Sequence, residues 1–276
     1  MVKKPVLPPP GPRPLIVAIG ASNLSRGLSR LVTITHSWAP GPVDLAVAAG
    51  HGRSYGANSR VWNRRLPSIL GSGLWRGIDR LLAAGQTDRP RVAVVTDIGN
   101  DLLYGFSSEQ LAVWVDETLA RLQQRGFTTV ITRLPLASIT RVGKMRYRLL
   151  KTLFVPGCQL SLEQIKIVAA EVDAAVIRSA ATYQATVVDQ PGVWYGFDAL
   201  HIKRSSLDIL WNRAVAGWKN GVQDQKSIPV CTARHSWRLW AQLGTAAAEV
   251  RSLNQVMRFT PQPAVEFRDT TRVFLY

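Results

Sequence analysis

Cysteine is scarce in this chain: Cys158 and Cys231 are the only two in 276 residues. That excludes a disulfide framework, and no His/Cys cluster has the spacing of a zinc site, so no metal is expected. No apolar run is long enough to cross a bilayer. The opening MVKKPVLPPPGPRP is basic but lacks the apolar core of a secretory signal, and its prolines make residues 1–13 an extended tether. A reduced, cytoplasmic setting is the expectation. Repeats and low-complexity tracts are missing too. Acid is the other shortage, with 18 Asp+Glu against 34 Lys+Arg and a net charge of +16. The densest unopposed base is Arg141, Lys144, Arg146, Arg148 and Lys151. This patch reads either as a solvated face or as a contact for an anionic membrane surface or polymer. No nucleic-acid motif accompanies it, which argues against that partner.

What is present is a globular composition, 46% hydrophobic, sufficient for one sizeable core. Leu15–Ile19 is an uninterrupted apolar run ending at Gly20, as expected of a central parallel strand buried on both faces. Ser22 follows, where a helix over Leu24–Trp38 should begin, with Asn23 or Ser25 as its cap. Further strands are expected at Asp44–Ala49, Arg91–Thr96, Thr128–Arg133 and Ala185–Asp189. Helices should alternate with them at Leu70–Ala84, Ser107–Gln124, Arg141–Phe154, Ser161–Tyr183 and Ser205–Trp218. This rhythm predicts a five-stranded parallel sheet covered on both faces, spanning residues 14–218, with its site along the strands' C-terminal edge. In the extension 219–276 the rhythm stops. A helix at His235–Val250 and a hairpin at Ala264–Tyr276 are expected there, as a lid, a clasp on the sheet or an oligomerisation element.

Four places stand just beyond strands or before the final helix. They are Ser22, the glycine-rich loop Gly50–Gly56, Asn100, and the pair Asp198/His201. In this order they resemble the SGNH (GDSL-type) hydrolases over roughly residues 14–218. Gly20-Ala21-Ser22 stands for Gly-Asp-Ser, with alanine replacing the aspartate. Gly52, or Gly50 one slip away, stands for the second block's glycine. Asn100-Asp101 matches the third block without its leading glycine, and Asp198-Ala199-Leu200-His201 matches the last in full. The resemblance implies a flavodoxin-like three-layer α/β/α sandwich acting on esters, with no cofactor.

The chemistry accounts for the residue types. A serine hydroxyl needs a base to accept its proton, and a neutral imidazole suits that task near pH 7. Ser22 would be the nucleophile, His201 the base, and Asp198 the group that orients the imidazole. The Ser22 and Gly52 N–H groups and the Asn100 amide would form the oxyanion hole. Asp97 and Asp101 read as turn and scaffold residues. His51, Trp194 and Tyr195 are the candidates for touching substrate. An α/β-hydrolase is excluded because Leu24 stands where Gly-x-Ser-x-Gly needs its last glycine, and no Gly-x-Gly-x-x-Gly marks a dinucleotide site. Two alternatives remain open: an O-acyltransferase using the same residues, and a non-catalytic module docking anionic surfaces.

Overall fold

The computed structural model describes residues 12–39, 41–61, 64–85, 87–154, 157–220, 251–253, 256–258 and 260–276. Most of the expected tether, the helix expected at His235–Val250, and Cys231 lie outside them. The five expected strands form as β1 (Leu15–Ile19), β2 (Asp44–Ala48), β5 (Arg91–Val95), β6 (Thr128–Thr132) and β7 (Thr186–Val188). Every residue of β1 and β2 is buried, as the apolar runs require of strands covered on both faces. These five pair in parallel in the order β2-β1-β5-β6-β7. This is the flavodoxin-like order, in which the sequence of strands reverses direction at β1 and leaves a crevice at its C-terminal end.

Helices cover both faces. Helices α1 (Ser22–Trp38) and α7 (Arg204–Asn220) pack together over one, and their Leu31, Ile34, Leu207 and Trp211 meet the even-numbered β1 side chains Ile16 and Ala18. Helices α2 (Leu74–Ala84), α3 (Ser108–Gln124) and α6 (Leu162–Thr182) cover the other, against Leu15, Val17 and Ile19. The capping box that opens α6 forms as its sequence implies, between Ser161 and Gln164. The helix expected at Arg141–Phe154 starts later: a short α4 (Leu136–Thr140) precedes Arg141, and Lys144, Arg146, Arg148 and Lys151 lie on α5 (Lys144–Phe154).

The expected count of five strands falls short. The hairpin near the C-terminus forms as β10 (Val265–Glu266) and β11 (Arg272–Leu275), and β11 lies parallel against β2, extending the main sheet to seven strands. Residues 264–276 are therefore a clasp on the sheet, not a separate appendage. Four short strands escaped prediction: β3 (Ser59–Val61), β4 (Arg64–Leu66), β8 (Arg251–Leu253) and β9 (Val256–Arg258). They form a second antiparallel sheet in the order β3-β4-β8-β9. At three residues each, with polar side chains among them, they carry too short an alternation to register as strands.

One carboxylate fastens the clasp. Asp44, at the start of β2 and buried, meets Arg272 of β11 at 2.8 Å, Arg89 at 2.8 Å and Arg13 at 3.2 Å. Burial by itself would raise its pKa, yet hydrogen bonds from Arg272 and Arg89 outweigh this and lower it below the ordinary 3.8. A carboxyl whose folded pKa is depressed contributes stability that is present above the unfolded value and is lost as pH falls through the folded one. Asp44→Ala should therefore cost about 3–5 kcal/mol at pH 7. In urea denaturation the gap between wild type and variant should narrow as pH drops below 3.8; a gap independent of pH would contradict this role.

Candidate functional site

The N-terminus of α1 needs acceptors for its first N–H groups, and Ala21 at the cap position has no side chain to supply one. Neither Asn23 nor Ser25 serves as the cap expected of it. The acceptor comes from the end of β5: the Asp97 Oδ2 accepts from Ala21 N at 2.8 Å and Leu24 N at 3.1 Å. Asp97 reaches back because its backbone is left-handed, φ 62°, a conformation aspartate tolerates better than most residues. Gly20 permits the close approach, since a Cβ there would lie 2.7 Å from Thr96 Cγ2. Ser22, partly exposed, is thus the first residue of a helix whose end is fixed by a carboxylate from the neighbouring strand.

Asn23 extends this anchorage. Its buried amide donates to Asp97 Oδ1 at 2.8 Å and to Leu200 O at 3.1 Å, while its Oδ1 accepts from Ile202 N at 2.8 Å. One side chain therefore joins the residue after Ser22 to both neighbours of His201. Ser25 instead returns its hydroxyl to Ala21 O at 2.8 Å.

Residues 195–202 form a tight loop closed by Gly196 N to His201 O at 3.2 Å and a bridge between Tyr195 and Ile202. Inside it, Asp198 Oδ1 accepts from Leu200 N at 3.1 Å and His201 N at 2.8 Å, and Oδ2 lies 2.7 Å from His201 Nδ1. Partial burial works to raise the Asp198 pKa, but the hydrogen bonds from His201 and Leu200 prevail and hold it at about 2. An ionised carboxylate only accepts, so the imidazole donates from Nδ1 and turns Nε2 away from Asp198.

The glycine loop and the 3-10 turn Ile98–Tyr104 are stitched together. Asn100 Nδ2 donates to Arg53 O at 3.2 Å, Tyr104 Oη to Gly52 O at 2.6 Å, and Tyr55 N to Asp101 Oδ2 at 2.9 Å. Gly52 sits at φ 66°, where a side chain would be strained. Of the two candidate glycines, Gly52 is the one bonded to the Asn100 turn, whereas Gly50 O accepts from Arg53 N at 3.1 Å. Asp101 is a scaffold group whose pKa is pushed up to about 6 by burial, against hydrogen bonds from Ser54 and Tyr55. Behind the loop, the buried Arg53 donates to Pro67 O at 3.0 Å and Ala49 O at 3.3 Å, and to Tyr276 O of the clasp. Burial lowers its pKa to about 10.

The two aromatics expected to touch substrate are packed inside the fold. Trp194 and Tyr195, 5% and 6% exposed, belong to the core; Tyr195 donates its hydroxyl to Gln190 Oε1 at 2.6 Å, and Arg213 lies 4.7 Å over the Trp194 ring. The aromatic that this loop leaves in solvent is Phe197, 68% exposed. His51 stays at the exposed tip of the glycine turn. Sequence reasoning missed Tyr104 as a contact of the glycine loop, and it missed Arg26. Arg26, one turn along α1 from Ser22, lies within electrostatic range of Asp198 and Asp97; burial first of all lowers its pKa. Its spacing of four from Ser22 was the available signal. Among the described residues no three His, Cys, Asp or Glu side chains group as metal ligands.

No family profile and no curated protein matches the chain. Solved structures with a similar fold include the psychrotrophic esterase EstA from Pseudoalteromonas sp., at 12% identity and TM-score 0.44, covering 74% of this chain and 97% of that one. TesA is similar at 14% identity and TM-score 0.46, covering 75% and 99%. AlinE4, an SGNH-hydrolase family esterase, is similar at 18% identity and TM-score 0.38, covering 64% and 76%. These likenesses are distant, and the functional reading rests on the geometry of the site.

Asp97 is the group on which that geometry hangs. Asp97→Ala leaves two backbone donors without their acceptor and removes one of the two acceptors of the Asn23 amide, and should cost about 2–4 kcal/mol in chemical denaturation. Amide exchange at Ala21 and Leu24 should quicken ahead of the rest of α1. A loss below about 0.5 kcal/mol, the range of ordinary surface changes, would contradict the anchoring role.

Proposed function

We propose that the chain is a serine ester hydrolase working through an acyl-enzyme. The observation that carries this reading is the Asp198–His201 pair, 2.7 Å apart, whose neighbours Leu200 and Ile202 are bound to Asn23, the residue after Ser22. In the first half-reaction the Ser22 Oγ attacks the ester carbonyl carbon while His201 Nε2 takes the hydroxyl proton. Asp198 remains a carboxylate and stabilises the imidazolium. Charge on the carbonyl oxygen is met by the Ser22 and Gly52 N–H groups and by the Asn100 amide, whose contact with Arg53 O supports its orientation. Collapse breaks the C–O bond, and the alcohol leaves with the proton from His201. Water then attacks the acyl carbon, giving its proton to His201, and the acid departs as Ser22 recovers its hydrogen.

Turnover of p-nitrophenyl acetate tests this reading. Ser22→Ala and His201→Ala should each abolish it. Asn100→Ala should keep the fold and lower kcat about 100- to 1,000-fold, with little change in KM. Asp198→Asn should lower kcat steeply, because an amide does not hold the same imidazole tautomer. Undiminished turnover in Ser22→Ala, or a loss below about fivefold in Asn100→Ala, would count against these assignments.

A further inference from the structure

Helix α5 presents two faces of different chemistry. Its inner face, through Tyr147 and Leu150, helps wall a cavity of about 50 Å³ shared with Val142, Asp198, Ala199 and Leu200. The cavity therefore adjoins the turn that holds Asp198 against His201. The outer face places Met145, 87% exposed, one turn from Leu149, 50% exposed. Lys144 and Arg148, both exposed, flank that pair on one side. Lys144 lies 3.9 Å from Glu163. On the other side Arg146 ties the helix to the catalytic turn: it donates to Gly196 O at 3.2 Å, and its guanidinium lies 4.7 Å over the exposed ring of Phe197.

We propose that the α5 face formed by Met145 and Leu149, together with Phe197 and the flanking bases, docks this protein on an anionic lipid surface. The reading rests on the ester-hydrolase assignment for its purpose, which is to bring the Ser22 site to an ester held in that surface. Base alone would fit any polyanion. Large aliphatic side chains held in water beside the base gain nothing from a phosphate backbone or a sulfated sugar, but gain burial at the boundary of headgroups and acyl chains. Charge complementarity supplies the rest, since a juxtamembrane Lys or Arg contributes about fivefold to the binding of acidic lipid. On the inner side of the same helix, the cavity walled by Tyr147 and Leu150 reaches Asp198, so the docking helix and the catalytic turn are direct neighbours. Docking through this face would present the site to a lipid ester.

Binding is best measured by co-sedimentation of the Ser22→Ala protein with vesicles, so that it does not depend on hydrolysis. The probes are vesicles of phosphatidylcholine alone and of phosphatidylcholine mixed equally with phosphatidylglycerol, with soluble heparin as the lipid-free polyanion. The protein should bind the mixed vesicles at least tenfold tighter than the neutral ones. Met145→Ser with Leu149→Ser, which leaves net charge unchanged, should weaken vesicle binding at least tenfold and leave heparin binding as it was. Arg148→Glu should weaken both. Equal vesicle binding by the Met145/Leu149 double variant would overturn the proposal and leave a simple polyanion patch, as would tight heparin binding without vesicle binding. Docking that persists in a protein inert toward every ester would leave this proposal standing and remove the hydrolase reading instead.

Discussion

The arrangement of the site depends on a carboxylate and an amide that neither react nor touch a reacting atom. A parallel sheet that reverses its winding at β1 leaves the N-terminus of α1 at the mouth of a crevice, with its N–H groups seeking acceptors. Alanine at position 21 provides none. Asp97 supplies the acceptor across the strand gap, and Asn23 carries the constraint on to Leu200 and Ile202. Three chain segments, separated by 74 and 177 positions, are thereby held at fixed mutual distance. Preorganisation of this kind is what nucleophilic catalysis requires, because groups that must rearrange before reacting lose much of their advantage.

The central strands were legible because burial on both faces demands continuous apolar residues, and LIVAI and the LAVA that follows Asp44 meet that demand with little ambiguity. The last hairpin was legible as a hairpin, since its turn is local, but its place beside β2 was not. Pairing of Arg272 with Asp44 spans 228 positions, and nothing within either strand encodes the partner. The same distinction divides the site. Asp198 and His201 lie three residues apart and announce themselves, whereas the Asn23–Asp97 anchorage is made by side chains that each look like ordinary caps. The placement of Trp194 and Tyr195 was not legible, because an aromatic beside such a turn can face the core or the cleft with equal ease. Here the core claims both, and Phe197 is the one left outside.

The excess of base also divides into two populations. Part of it is structural: Arg89 and Arg272 gather on Asp44, Arg133 pairs with Asp173 at 2.6 Å, and Arg53 is buried among backbone carbonyls behind the glycine loop. Guanidinium groups suit this work because their several donors satisfy carbonyls at segment ends that meet no strand or helix partner. Lys144 and Arg148 of α5 are of the other kind, exposed beside the exposed side chains of Met145 and Leu149. Composition reports only their sum, +16, and does not separate a clasp from a contact surface.

The most direct measurement is the site of covalent capture by a fluorophosphonate, read by mass spectrometry of the intact protein and its peptides. A serine activated by His201 should take up one phosphonyl group per chain, on the peptide that carries Ser22. The adduct should vanish in Ser22→Ala and form far more slowly in His201→Ala. An adduct on any other serine, or one that persists unchanged in Ser22→Ala, would contradict the account.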